Sequence, residues 1–417
     1  MNIFIKWTAS LFVNFIYSGV SFAQGIVADG STSTSISVGD AGLVTVDIAP
    51  ANTAQISINR FSSFSVSEKD VSLNNRISNA DVIVNEVTSN SISRLNGTIS
   101  IDGPTADVIL ANPNGIAING GRFENTRNVG LATARYGAGP TGRPSVSVSS
   151  GEITVGPAGL SGQVAELALL SERLRVGGPI TAEDGQLTII AGHGDVSFDR
   201  VRGGFGQEGA GIAPWAMIEE VSDLDFGSTI VEFSTGSSAN ANRISISVSA
   251  NGAGVRIAGD QRAGVGGFRL TSSGRLEVLD ARISSAGSVD VAAQSIAMTS
   301  SAQQRAEIVS ETKGVTLKTL GGDIELGHSL VQGAVVSSDN LDSAGGVTLI
   351  ASGRISSKKQ SGATASLVSA AGDNPNPLNR SNVVVIADGG LDFDGLVVSA
   401  TDDLRLGTFG GLTLADA

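Results

Sequence analysis

The sequence predicts an all-β chain wound as a right-handed, single-stranded parallel β-helix, a solenoid carrying a few extra-helical loops or hairpins. Three observations carry this expectation. Short runs that alternate apolar and polar residues recur along the chain, and Ile99, Val108 and Ile116 mark three of them in close, nearly even succession. Glycine is abundant at 54 of 417 residues, whereas aromatics make up only 4%, which disfavours sandwiches and propellers with their aromatic markers. No sustained helical periodicity competes, apart from a short stretch around 165–174 that also reads as strand.

Taken in order, residues 1–23 form a segment of their own. Lys6 is the only charged residue there, an apolar stretch runs from about Trp7 to Val20, and Ser21-Phe22-Ala23 offers small residues on either side of Phe22. That is the pattern of a secretory signal peptide cleaved after Ala23, and the stretch is too short for a membrane span. No later segment approaches spanning length, so the exported chain is not expected to be membrane-spanning. Brief strands follow at Val44–Ile48, Thr98–Asp102, Ala106–Leu110, Gly115–Asn119, Ser145–Val148, Glu152–Val155, Gln186–Ile189 and Asp195–Phe198. The distal part repeats the style at Arg243–Val248, Ser288–Val291, Gly314–Leu317 and Gly346–Leu349.

Three such strands make one coil, and stacked coils bury a continuous column of Val, Ile and Leu that no single coil could bury alone. At roughly 20–25 residues per coil, the chain past the signal would give about 16–20 coils. Gly137–Pro144, Gly203–Pro214 and the Asn/Pro stretch 373–379 read as loops that leave the coils. Three divisions are expected: a signal peptide over 1–23, a secretion domain over 24–240, and further β-helix coils over 241–417.

Composition excludes several chemistries. Cysteine is absent and only His193 and His328 are present, which removes disulfide staples, thiolate zinc sites and multi-histidine centres. A net charge of −13 opposes a phosphate-tracking nucleic-acid binder. A β-helix enzyme acting on polysaccharide would need clustered carboxylates or a calcium site with a basic neighbour. The acidic pairs Asp392/Asp394 and Asp402/Asp403 lie in turn-like sequence, and the calcium-binding nonapeptide is not present as a repeat. Neither catalysis nor a cofactor is called for.

Four patches stand out near the N-terminus. They are Asn59-Arg60-Phe61-Ser62-Ser63-Phe64, Leu73-Asn74-Asn75, Asn85-Glu86-Val87-Thr88, and the strong turn signal Asn112-Pro113-Asn114-Gly115-Ile116. In this order, behind a signal-like segment, the chain resembles the secretion domain of the filamentous haemagglutinin family, the exported partners of two-partner (type Vb) secretion. Ser91–Gly97 and Leu167–Ser171 add to the likeness, which is specific from about Gln24 to Asp199. An additional Asn-Pro-Asn-Leu motif carried by many members has no counterpart, because Arg76–Ala80 is too short to hold it.

The resemblance implies a pectin-lyase-like right-handed β-helix and recognition of the N-terminal domain by periplasmic modules of an outer-membrane barrel transporter. It also implies passage through that barrel unfolded, and secretion to the cell surface or beyond. The lack of cysteine suits threading, since no oxidised loop can form in the periplasm. Outside the cell, three readings stay open: an adhesin that meets a host-cell or bacterial surface receptor, the carrier of a C-terminal toxin, and, least favoured, a glycan-acting enzyme.

The motif residues Asn59, Asn74, Asn75, Asn85, Glu86, Thr88, Asn112, Pro113, Asn114, Gly115 and Ile116 are the candidates for transporter recognition. The competing reading is that asparagines at solenoid corners satisfy open backbone groups. For Phe61 and Phe64, core or cap packing competes with a role as partner anchors.

Overall fold

The computed structural model describes residues 25–39, 42–138, 143–199, 214–221, 227–301, 304–334, 336–337, 345–358, 366–370 and 379–415. The expected signal peptide, and most of the loops expected at 203–214 and 373–379, lie outside these residues.

Every stacking contact between coils is a parallel strand pairing, as a single-stranded β-helix requires. One coil shows the unit. Arg275–Leu279, Arg282–Ser285 and Val289–Ala293 lie on three successive faces before the chain comes round again at Ser295–Thr299. That strand lies directly on Arg275–Leu279, with Leu276 opposite Ile296. Arg275–Leu279 and Ser295–Thr299 belong to the third face of the rod, Arg282–Ser285 to the first and Val289–Ala293 to the second. Alternation along each strand sends one set of side chains inward. The column Ile246, Leu270, Val291, Leu317, Leu349 and Val385 runs up the inside of the second face, every member at most 2% exposed. Burying each such side chain stabilises by about 1.5–3 kcal/mol, and only its neighbours above and below make that burial complete.

The third face stacks 12 strands, and a bridge between Val66 and Leu95 extends it by one layer. The described residues therefore make 13 coils, fewer than the number expected. The difference lies in chain that leaves the rod between coils. Ile116 pairs with Ile153, and Leu174 with Val231, across far longer stretches of chain than separate Leu276 from Ile296.

Much of that excursion builds a second layer. Ala134–Ala138, Pro144–Val148, Gly194–Phe198 and Ala216–Val221 form a four-stranded antiparallel sheet. Gly137, Ala138 and Pro144, expected in a loop, are thus strand residues, and 139–142 lie outside the described residues. This sheet covers the outer side of the second face. Its Val146, Val196, Phe198 and Trp215 share an apolar cluster with Val82, Val84, Ile109, Ala168 and Leu170 of the coils. Strands Val82–Val87, Ala106–Ala111 and Glu166–Ser171 are consequently buried on both sides. That double burial explains why 165–174 shows no alternation. Leu167 and Leu169 face the rod interior while Ala168 and Leu170 face the cover, and the stretch is strand.

The start of the rod is closed by antiparallel pairing. Ile26–Ala28 runs against the end of Ile56–Phe64, and Ser35–Val38 against Val44–Asp47. Such a cap occupies the backbone groups that an open first coil would present.

Candidate functional site: the asparagine corners and the covered face

Asn112 is fully buried at the corner between the second and third faces. Its Nδ2 donates to the Ser91 carbonyl and to Ser93 Oγ, both at 2.9 Å, while its Oδ1 accepts the Asn114 backbone N–H at 3.0 Å. Asn114 Nδ2 donates to the Ser89 carbonyl at 2.7 Å. The pair thus ties one coil to the coil beneath it. Gly115 completes the turn with φ of 121°, and a Cβ there would lie 3.1 Å from the Glu152 carbonyl oxygen. Half-buried Pro113 accepts Ser150 Oγ at its carbonyl, and Ile116 begins the third-face strand with its side chain inside.

The other asparagines work similarly. Asn75 accepts the Ala80 N–H at 2.7 Å and donates to the Ala80 and Pro104 carbonyls, closing the short 75–80 connection and linking it to the next coil. Asn74 donates to Asp47 Oδ1 at 2.7 Å on the outer surface. Asn59 points inward, where its Oδ1 accepts from Thr34 Oγ1 and the Ala49 N–H of the capping region, each at 2.8 Å. Phe61 and Phe64 are buried beside it with ring centroids 5.0 Å apart in an edge-on arrangement, so both belong to core and cap packing. Thr88 donates to Asp29 Oδ2 at 2.9 Å, holding the capping strand to the second coil.

Asn85 stands apart from these. It stacks directly on Asn59 inside the rod, is 1% exposed, and neither its Nδ2 nor its Oδ1 has a hydrogen-bond partner among the described residues. An unsatisfied buried amide costs about 1–3 kcal/mol.

Glu86, its neighbour, points the opposite way, into the seam beneath the cover. Its Oε1 accepts the Tyr136 backbone N–H at 3.3 Å, and its Oε2 lies 3.2 Å from Arg60 Nε. At the far side of the cover, Glu166 accepts the Trp215 N–H at 2.7 Å and the Ala216 N–H at 3.3 Å. The strand of Tyr136 and the strand that Ala216 opens, just after Trp215, are the two edges of the covering sheet, so one carboxylate grips each edge. Burial pushes the Glu166 carboxyl above its ordinary range, opposed by those N–H donors and by Arg243. Between them, Asp107 takes Arg127 in a two-pronged contact at 2.8 and 2.9 Å and Asn128 Nδ2 at 2.9 Å, and this keeps the guanidinium firmly charged.

The sequence reading missed Asp107, Arg127 and Glu166. A signal was present: each acid sits inside or at the start of a continuous apolar run, Ala106–Ala111 or Glu166–Ser171, where a carboxylate must find a partner. Trp215 and Phe198, with ring centroids 4.5 Å apart, lie over Gly130, where a Cβ would come within 3.1 Å of the Phe198 ring.

The acidic pair Asp392/Asp394 belongs to strand Gly390–Asp394 rather than to a turn, and Asp392 is paired with Arg354 at 3.3 Å. His328 occupies a turn with φ of 48°, and His193 lies 3.3 Å from Glu172.

The sequence profile of the TPS secretion domain matches residues 24–278. The tRNA nuclease CdiA of Yersinia mollaretii is 34% identical over 197 residues, which is 42% of this chain and 6% of that protein. Filamentous hemagglutinin of Bordetella pertussis is 30% identical over 196 residues, 42% of this chain and 5% of that protein. The chain thus aligns with only a small fraction of the length of these relatives. The crystal structure of the filamentous hemagglutinin secretion domain superposes with a TM-score of 0.51 at 22% identity, covering 83% of this chain and 99% of the other, a likeness of fold. The profile spans more than half of the chain, over the coils that carry every asparagine corner described above, and the chain belongs to the TPS secretion domain family.

Proposed function

We propose that this protein is the exported member of a two-partner secretion pair. Its N-terminal domain is recognised in the periplasm by modules of an outer-membrane barrel, it crosses that barrel unfolded, and it winds into its rod outside. The observation that carries this reading is the family match, which begins at residue 24, directly after the expected signal cleavage. We place the secretion domain over 24–240 and simple coils over 241–417. Support for that division comes from the covering sheet, which ends at Val221, and from the outward ladder Ser245, Arg269, Asp290, Thr316 and Thr348, which is polar beyond it.

Among the motif residues, Asn85 is the strongest candidate for recognition before folding, because the wound rod leaves its amide without a partner among the described residues. Residues that break local packing rules are expected where another state of the chain matters. Asn59, Asn74, Asn75, Asn112 and Asn114 already have structural work in the rod.

Once outside, the rod acts as an adhesin at the cell surface or in the medium. The second reading, carriage of a toxin, is favoured by the relatives named as tRNA nucleases, whose length the chain matches only in small part. The test is co-production with an outer-membrane barrel partner that carries periplasmic modules. Export should depend on those modules and on residues 24–240. Equal export without either would sink the proposal.

A further inference from the structure

A groove of about 830 Å³ runs along the corner between the first and second faces. It crosses three successive layers, at Gly121–Glu124, Leu160–Gly162 and the start of Pro179–Ala191. Part of its polar lining is committed like the asparagine corners: Asn125 donates to the Ile101 and Gly103 carbonyls and accepts from Thr105 Oγ1. Ser161, Gln163, Thr181 and Asp184 line it with no side-chain hydrogen bond or ion pair to other described residues. Thr126 lines it as well, at the start of its strand where the register with the layer below shifts. Thr126 is 2% exposed, and its hydroxyl has no hydrogen-bond partner among the described residues.

From this groove we infer a binding site for a neutral oligosaccharide lying along the rod axis. The Thr126 hydroxyl itself is sealed beneath the surface, so the groups that can meet a ligand are those of Ser161, Gln163, Thr181 and Asp184. The available groups are hydroxyls, an amide and a carboxylate, which together donate to and accept from sugar hydroxyls. Charge selects against anions: Arg122 is already paired with Glu124 at 2.9 Å, and Asp184 adds an uncompensated negative charge. A metal ion fits poorly too, since no cluster of three or more His, Asp or Glu side chains suited to one occurs among the described residues. The layers repeat at ~4.8 Å, close to the length of one pyranose unit, so successive sugars would meet successive coils. Phe123 is buried beneath the groove at 2% exposure and gives no stacking platform, so affinity should be low for one sugar and grow with chain length.

The inference is independent of the export reading and is tested on the purified chain in solution. An array of neutral and anionic glycans identifies the preferred class, and calorimetric titration compares monosaccharide with tetrasaccharide. Neutral tetrasaccharides should bind at least tenfold more tightly than the monosaccharide. The double variant Gln163→Ala/Asp184→Ala, altering exposed side chains only, should weaken binding about tenfold with unchanged melting. Thr181→Trp should abolish it by filling the groove. Binding of anionic glycans alone, no binding of any neutral glycan, or undiminished binding by Thr181→Trp would each overturn the proposal.

Discussion

At the residue scale, the two inward-facing asparagines Asn59 and Asn85 have opposite energetics although one stacks on the other. Asn59 satisfies the cap, so its loss would strand Thr34 and the Ala49 N–H. Asn85 satisfies nothing among the described residues. Replacing it with leucine, the residue that follows in the same column as Leu110, should stabilise the rod by about 1–2 kcal/mol, read as a raised denaturant midpoint. If Asn85 is read by the transporter, the same variant should be exported more slowly; unaltered export would remove Asn85 from the recognition set. Asn112→Ala should act in the other direction, destabilising by about 1–3 kcal/mol because Ser91, Ser93 and Asn114 lose their partner. The asparagine corners were legible in the sequence because Asn-Pro-Asn-Gly dictates a turn by itself. The inward direction of Asn85 was not, since strand phase within a doubly buried run such as Val82–Val87 leaves no polar face to count from.

At the scale of elements, the covering sheet is held by an aromatic pair and two carboxylate grips. Trp215→Ala should cost about 3–5 kcal/mol of local stability. Hydrogen exchange should then rise in Gly194–Phe198 and Ala216–Val221, while the third-face strands stay protected. The pH response follows from Glu166. Its folded pKa is raised by burial, so the folded state holds the proton more tightly than the unfolded chain. Its contribution is therefore complete below the ordinary glutamate range and is lost as pH rises through the folded value. Protection of the cover should accordingly increase on mild acidification, and Glu166→Gln should flatten that dependence. None of this sheet was legible as a unit. Alternation marked strands at Ser145–Val148 and Asp195–Phe198, but their pairing with each other joins segments distant in sequence, which no local periodicity records.

At the scale of the whole molecule, the rod was legible because Val, Ile and Leu alternate with polar residues in coil after coil, as at Val289–Ala293. The number of coils was not, because excursions consume chain without adding a layer. A net stability of about 0.05–0.15 kcal/mol per residue gives roughly 1–3 kcal/mol for a coil of ~20–25 residues. That increment, repeated, biases a chain emerging from a pore against sliding back. Asp290 and Thr316 face each other on adjacent coils. In the unfolded periplasmic chain, the thiols of the variant Asp290→Cys/Thr316→Cys should meet by loop closure and oxidise to a bridge, so that export stalls and recovers with reductant. Undiminished export of the verified bridged form would contradict threading.

Coil length has a practical corollary. Some neighbouring layers of the third face are joined by a brief connection, as from Leu276 to Ile296, and others by a long detour, as from Leu174 to Val231. The strands stay in register across both. Geometry inside the rod is thus indifferent to what hangs from its corners. A foreign peptide grafted between Thr299 and Ala306, or a small folded module placed there, should be displayed on the outside of an otherwise unaltered shaft.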